Sequence, residues 1–105
     1  MALKSWSIAS FDGTLPETKT LIDSGTNTVI TFSLIISNYS SADDANITIE
    51  RTDSADTVKF QWIIDILATD SPFAMDSMLT FESGDKLKIT SDIAEVAVDA
   101  NGDEA

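Results

Sequence analysis

The chain contains neither cysteine nor histidine. Without cysteine no disulfide holds the fold, and the redox compartment cannot be inferred. Without histidine the sequence lacks the commonest general base and the usual zinc ligand, and neither a Ser-His nor a Cys-His nucleophile can form. Two widespread routes to catalysis and the main route to a zinc site are therefore excluded.

Basic residues are also scarce, with 6 Lys and Arg against 18 Asp and Glu and a formal net charge of −12. A nucleic-acid-binding surface needs clustered Lys and Arg to neutralise phosphates, so we expect no nucleic-acid partner. The acidic excess is typical of a surface that keeps a small protein soluble. It also fits docking onto a basic partner.

Glycine (4) and proline (2) are too rare to indicate disorder, and the hydrophobic fraction of 43% is enough for a core. No apolar run approaches the ~20 residues of a membrane-spanning helix, since Asp65 interrupts the densest stretch. The N-terminal segment has one Lys and no apolar stretch, so we expect neither a secretory signal nor a membrane partner. At 105 residues the chain predicts one domain over residues 1–105, ending in a mobile polar tail from Asn101.

What the chain does have is alternation of apolar and polar residues, which predicts half-buried β-strands. Residues 78–82 and 86–91 alternate on either side of Ser83-Gly84-Asp85, a tripeptide that can reverse or bend the chain. Residues 29–38 are rich in β-branched side chains and predict a central strand. In that strand one fully apolar face is expected, formed by Ile30, Phe32, Leu34 and Ile36.

Residues 59–68 are ambiguous, because a helix would group Phe60, Ile63, Ile64 and Leu67 on one side. The β-branched content favours a strand. Further strands are predicted at residues 6–11, 18–23, 47–52 and 93–99. About eight strands joined by connections too short for crossover helices predict an all-β fold, an antiparallel β-sandwich of jelly-roll type.

Candidate sites for chemistry are weak. Residues 99–104 place oxygen ligands at alternate positions but lack the spacing of a calcium loop, so a solvated acidic tail is the preferred interpretation. Asp43 and Asp44 lie in a predicted loop, where Asp is a common turn former. Paired carboxylates arise by chance among 18 acids. We therefore expect no enzyme, no metal site and no cofactor.

The order of features from Leu21 onward resembles small virion proteins of tailed bacteriophages. In these a short strand and a turn (here residues 20–28) lead to a long hydrophobic strand (29–38) that ends in an Asn-containing loop. A strand of the Ile47-Thr48-Ile49 kind follows, and then a strand, Gly-Asp and a strand over residues 79–90, with a last strand like residues 94–98. The resemblance covers roughly three-quarters of the chain, and residues 1–16 and 69–76 have no counterpart in it.

This resemblance implies a non-enzymatic structural protein of the virion. A capsid cement or decoration protein that binds and stabilises the assembled shell is preferred to a tail or neck accessory protein. The implied partners are the major capsid protein or other virion proteins, together with further copies in a homo-oligomer. The interface is expected in the N-terminal segment and the loop at residues 38–44: Leu3, Trp6, Asn38, Tyr39, Asp43 and Asp44. A carbohydrate-binding module, with Tyr39 and Phe73 as loop aromatics, is the alternative from another class.

Overall fold

The computed structural model describes residues 2–76 and 78–105, and this part of the chain forms nine β-strands and no helix. No helical membrane span is therefore found among those residues. The strands are β1 (Ala2–Ile8), β2 (Glu17–Asp23), β3 (Val29–Asn38), β4 (Ala45–Thr52), β5 (Val58–Ile66), β6 (Phe73–Met75), β7 (Leu79–Phe81), β8 (Lys86–Ser91) and β9 (Val96–Glu104).

The strands form two antiparallel sheets, which confirms the predicted all-β sandwich. Sheet A has the order β1-β9-β3, with the short strands β6 and β7 both pairing with the free side of β3. Sheet B has the order β2-β8-β4-β5. Along the chain only β4–β5 and β6–β7 are consecutive strands of one sheet, and every other connection crosses between the sheets. This order is compatible with a jelly roll, which stays a prediction.

The core lies between the sheets. In sheet B the alternation of β4 and β8 places Ile47, Ile49, Leu87 and Ile89 inward, each almost fully buried. Ile49 and Ile89 are direct cross-strand neighbours, the kind of β-branched pair that stabilises a sheet. Sheet A contributes the inward side chains of β3 and β9.

The prediction of a fully apolar face on β3 is wrong for the first half of the strand. Val29 and Thr31 are buried, whereas Ile30 is half-buried and Phe32 is 40% exposed. The cause is an irregularity in the pairing of β3 with β9 between Thr31 and Ser33. An extra residue in one strand reverses the inward and outward alternation beyond it, so Leu34 and Ile36 are buried as expected.

The Ser83-Gly84-Asp85 turn connects the two sheets instead of forming a hairpin, since β7 belongs to sheet A and β8 to sheet B. Gly84 has a φ of 91°, which a glycine adopts without steric cost. The Asp85 carboxylate accepts hydrogen bonds from Lys59 Nζ (3.1 and 3.2 Å) and from the Glu82 backbone N–H (3.0 Å). Asp85 is buried and fixes this corner.

The expected polar tail is part of the sheet. Residues 101–104 continue β9, which pairs with β1 on one side and β3 on the other. The Ala105 N–H donates to the Thr28 carbonyl oxygen at 2.9 Å. A strand pairs through its backbone groups, so polar side chains do not prevent residues 101–104 from joining the sheet. The polar composition of this segment therefore predicted neither the strand nor its length. Residues 99–104, for which a solvated acidic tail was preferred to a calcium loop, are therefore part of an extended strand.

The ambiguous stretch at residues 59–68 contains a strand and not a helix, as the β-branched content indicated, and this strand ends at Ile66. This strand, β5, and β2 are the two outer strands of sheet B. Sheet A ends at β1 on one side and at the interrupted pair β6 and β7 on the other.

Candidate interaction surfaces

Leu3 and the loop at residues 38–44, both predicted as parts of an interface, lie at opposite ends of sheet A. Leu3 of β1 pairs with Asp103 of β9, which in turn pairs with Ile30 of β3. Asn38, at the other end of β3, pairs with Val96 of β9. Eight residues of β3 separate Ile30 from Asn38, or about 26 Å at the usual rise of a strand. Leu3 and the loop at residues 38–44 therefore do not form one continuous surface. Their role as contacts stays a prediction.

At the N-terminal end, Leu3 is 82% exposed and borders a shallow depression of about 350 Å³ on the outer face of sheet A. The depression is lined by Leu3, Lys4, Ser5, Phe32, Asn101 and Gly102. Trp6 is half-buried and packs against the core. Of the two predicted contacts in this segment, Leu3 is thus the accessible one.

At the other end Asn38 is buried and organises the loop that follows it. Its Nδ2 donates to the carbonyl oxygens of Asp43 and Ile66, both at 2.9 Å. Its Oδ1 accepts a hydrogen bond from the Ser40 N–H at 2.9 Å. Because this amide is used within the loop, Asn38 positions its neighbours and is not itself a free contact. Tyr39 is 53% exposed and donates its hydroxyl to the Ala9 carbonyl oxygen at 3.1 Å.

Four loops meet at this end, and we call them together the acidic end: residues 9–16, 39–44, 67–72 and 92–95. Backbone hydrogen bonds join Phe11 to Ala94 and Tyr39 to Glu95, and the Asp44 carboxylate accepts from the Ala68 N–H. The loops carry six acidic residues and no Lys or Arg: Asp12, Asp43, Asp44, Asp70, Asp92 and Glu95. None of the six forms an ion pair with a described residue. The predicted contacts Asp43 and Asp44 are both exposed here.

The opposite end balances its charges. Asp56, in the turn between β4 and β5, lies 2.8 Å from Lys88 Nζ and 3.3 Å from Lys86 Nζ. The hydrogen bonds from Lys88 and Lys86 hold the pKa of Asp56 below its ordinary value of 3.8. Lys59 lies between Asp85 and Glu82. None of the six acids of the acidic end is therefore paired with a described lysine or arginine, whereas at the other end lysines pair with Asp56, Glu82 and Asp85.

Among residues 2–76 and 78–105 no three or more Asp and Glu side chains come close enough together to hold a metal ion. The described surfaces instead present exposed carboxylates and exposed apolar side chains.

An apolar surface that the sequence did not reveal lies where β5 faces β6. The Trp62 ring packs edge-on against Phe73, with 5.4 Å between ring centroids, and against Phe60 at 6.3 Å. Phe73, expected as a loop aromatic, is in β6 and half-buried. Several large apolar side chains of β5 and the residues near it in the chain are exposed, namely Val58, Phe60, Ile63 and Leu67. Alternation in β5 identified a strand, but it could not show that the strand has a neighbour on one side only.

No protein-family model and no curated protein matches this chain. A comparison with solved structures finds a chain from the structure of infectious bursal disease virus Gx strain, 14% identical, with a TM-score of 0.37. The alignment covers 96% of this chain and 33% of that chain, so this protein spans about a third of its length. A likeness this weak carries no argument about function.

Proposed function

We propose that this protein is a non-enzymatic structural protein of a tailed-bacteriophage virion, which binds the assembled shell as a cement or decoration protein. The proposal begins from the sequence resemblance described above. The β-sandwich supports it, because a small rigid sandwich can present loops and strand edges to a lattice on which many weak contacts add. Its setting is the virion, assembled in the host cytoplasm, and its partners are the major capsid protein or other virion proteins.

The observation that carries the docking mechanism is the charge of the acidic end. Six carboxylates without a basic residue in the same loops create a negative field, which attracts a basic partner surface and orients its approach. Hydrogen bonds within and between the loops hold this surface in shape, so little ordering is needed when a partner binds. We infer that the acidic end faces the shell.

Cosedimentation of the purified protein with phage shells that lack it tests the proposal, with bound copies counted per shell. Saturation at a lattice stoichiometry is the expected result. A few copies per particle, or binding to tailed particles only, would move the assignment to a tail or neck accessory protein. Failure to bind either particle would overturn the virion role.

The docking surface is tested by neutralising Asp12, Asp43 and Glu95 together, as Asp12→Asn, Asp43→Asn and Glu95→Gln. No described residue donates a hydrogen bond to these carboxylates, so the fold should persist. We expect shell affinity to fall at least tenfold and to lose most of its dependence on salt. A matched control neutralises Glu50, Asp99 and Asp103, away from the acidic end, and should bind as the unaltered protein does. Equal losses of shell affinity in both variants would show that binding depends on the net charge of the protein and not on the acidic end.

A carbohydrate-binding module is the second candidate, favoured by one observation. The exposed Phe32 ring borders the depression on sheet A beside the polar side chains of Ser5 and Asn101. An aromatic ring beside amide and hydroxyl groups is the arrangement of a sugar site. Binding on a glycan array that is lost in Phe32→Ala would favour this candidate, and no glycan binding would remove it.

A further inference from the structure

The edge of sheet B formed by β5, Val58–Ile66, is protected less than the other edges, because its only bulge and its only lysine both lie at Lys59, near the start of the strand. The edge of sheet A opposite β1 is broken into two three-residue strands, β6 and β7. β2 has an irregular pairing between Thr20 and Ile22 and carries Lys19, and β1 carries Lys4. Short strands, bulges and lysines are the usual means of preventing edge-to-edge pairing.

β5 is nine residues long, has no proline, and its irregular pairing with β4 lies only at its start, at Lys59. From Phe60 onward its pairing with β4 is regular. Ile63 is 58% exposed, and Val58 and Phe60 are also exposed. A long, regular, apolar edge of this kind offers backbone hydrogen-bonding groups and apolar side chains to a further strand.

The sequence of β5 is complementary to itself. A two-fold axis necessarily places a strand antiparallel to its copy, so each residue contact occurs twice. With Trp62 on the axis, Phe60 faces Ile64 of the second copy, and Gln61 faces Ile63. The two charged residues of β5, Lys59 and Asp65, are three positions from Trp62 on either side. In this register Lys59 of each copy therefore faces Asp65 of the other.

A shift by one residue in either direction destroys this match, because Asp65 then faces Val58 or Phe60. The Lys59 side chain remains 35% exposed beside Asp85, so it is accessible to a second carboxylate.

Charge also selects this edge over the rest of the surface. Each copy carries a net charge of −12, so two copies repel when most of their surfaces approach. Within β5 one positive and one negative residue cancel. The edge is thus the place where two copies can approach with matched charges and apolar contact.

We propose that two copies of this chain associate through antiparallel pairing of their β5 strands about Trp62, which joins the two B sheets into one continuous eight-stranded sheet. The exposed side chains of Val58 and Phe60 in the same strand add to the apolar contact. This dimer does not depend on the virion role, and the experiments below use the purified protein without shells.

Sedimentation equilibrium over a wide concentration range tests the association. The unaltered protein is expected to dimerise, and Ile63→Lys to raise the dissociation constant at least tenfold, because it brings like charges together near the axis. The matched control is Ile35→Lys, at an apolar position 39% exposed on the outer face of sheet A, which should leave the dimer intact. Circular dichroism confirms that both variants remain folded. A protein that stays monomeric at all concentrations, or a dimer disrupted only by Ile35→Lys, would overturn the proposal.

The register is tested by cross-linking, for which the absence of native cysteine is an advantage. Directly opposite residues in an antiparallel pair have Cα atoms ~4.5–5.5 Å apart, within disulfide range, whereas diagonal neighbours are beyond it. A mixture of Gln61→Cys protein with Ile63→Cys protein should therefore form a disulfide-linked heterodimer on oxidation. Each variant alone should cross-link far less. Preferential self-linking of either variant would contradict pairing about Trp62.

If a partner strand of the shell occupies β5 instead, the free protein would be monomeric and Ile63→Lys would lose shell binding. That outcome rejects the dimer while leaving the virion role standing. A dimer that does not bind shells would support the association and reject the virion role, so the two proposals fail separately.

Discussion

Asp56 combines a conformational and an electrostatic role in a single turn residue. Its φ of 63° lies in the left-handed region, which Asp and Asn tolerate better than most residues. Its carboxylate also receives the side chains of Lys86 and Lys88 on the neighbouring strand. The turn between β4 and β5 is thereby tied to the start of β8.

Asp56→Asn should separate these two roles, because Asn keeps the backbone preference and removes the charge. The pKa of Asp56 is lowered in the folded state, so the carboxylate adds stability above its ordinary value of 3.8. This contribution is lost as the pH falls below 3.8 and through the folded pKa. Urea unfolding should show the variant less stable at pH 7, with the difference shrinking toward pH 3. A difference that is independent of pH would refute the electrostatic role.

Gly102 is required by close packing and not by a left-handed backbone. A Cβ at this position would overlap the Ile30 carbonyl oxygen and lie 2.9 Å from the Thr31 Cα. This is where the pairing of β3 with β9 becomes irregular.

We expect Gly102→Ala to destabilise the fold by about 1–3 kcal/mol, the usual range for overpacking a close contact. Thermal and urea unfolding measure the effect. The control is Asn101→Ala in the same strand, at an exposed position where a change within about 0.5 kcal/mol is expected. Similar losses of stability in Gly102→Ala and Asn101→Ala would mean that β9 is sensitive to any substitution, and that the close contact with β3 does not explain the effect at Gly102.

Among the strands, β3 shows how one irregularity redistributes an apolar sequence. Phe32 and Leu34 are two residues apart and would share a face in a regular strand. Leu34 is buried, whereas Phe32 is exposed on the outer face of sheet A.

Leu34→Ala should therefore cost about 2–5 kcal/mol, as large-to-small changes in a core do. Phe32→Ala should cost much less, although Phe is the larger side chain, because it leaves no cavity between the sheets. Denaturant unfolding of the two variants compares these costs. A larger loss of stability from Phe32→Ala than from Leu34→Ala would contradict the exposed position of Phe32 and support the regular alternation expected from the sequence.

At the scale of the whole molecule, the charge distribution opposes folding at one end. The six acids of the acidic end repel one another and form no ion pair with a described residue, whereas at the other end Lys59, Lys86 and Lys88 pair with Asp85 and Asp56. Salt screens exposed charges beyond a distance of about 10 Å at 0.1 M. Self-repulsion at the acidic end should therefore weaken as salt is added.

We expect the thermal midpoint to rise as NaCl increases from ~10 to ~300 mM, a range over which the screening length falls from about 30 Å to less than about 10 Å. The variant with neutral residues at positions 12, 43 and 95 should start from a higher midpoint and respond less. Calorimetry at fixed pH makes the comparison, with the Glu50, Asp99 and Asp103 variant as control. A midpoint that falls with salt would mean that attractive ion pairs outweigh the repulsion.

The sequence by itself determined the fold class and most of the strands, because alternation and β-branched content are local properties. The bounds of β3 and β8 agree with the predicted residues, and β5 was correctly distinguished from a helix. The excess of acid and the absence of cysteine and histidine needed no structure. Tertiary structure decided which side of each strand is buried, since a single irregularity at Thr31 reverses the alternation. It also decided that residues 101–104 form a strand, that the predicted contacts lie at two ends, and that β5 is an exposed edge. All of these depend on partners distant in the chain, which local pattern does not encode.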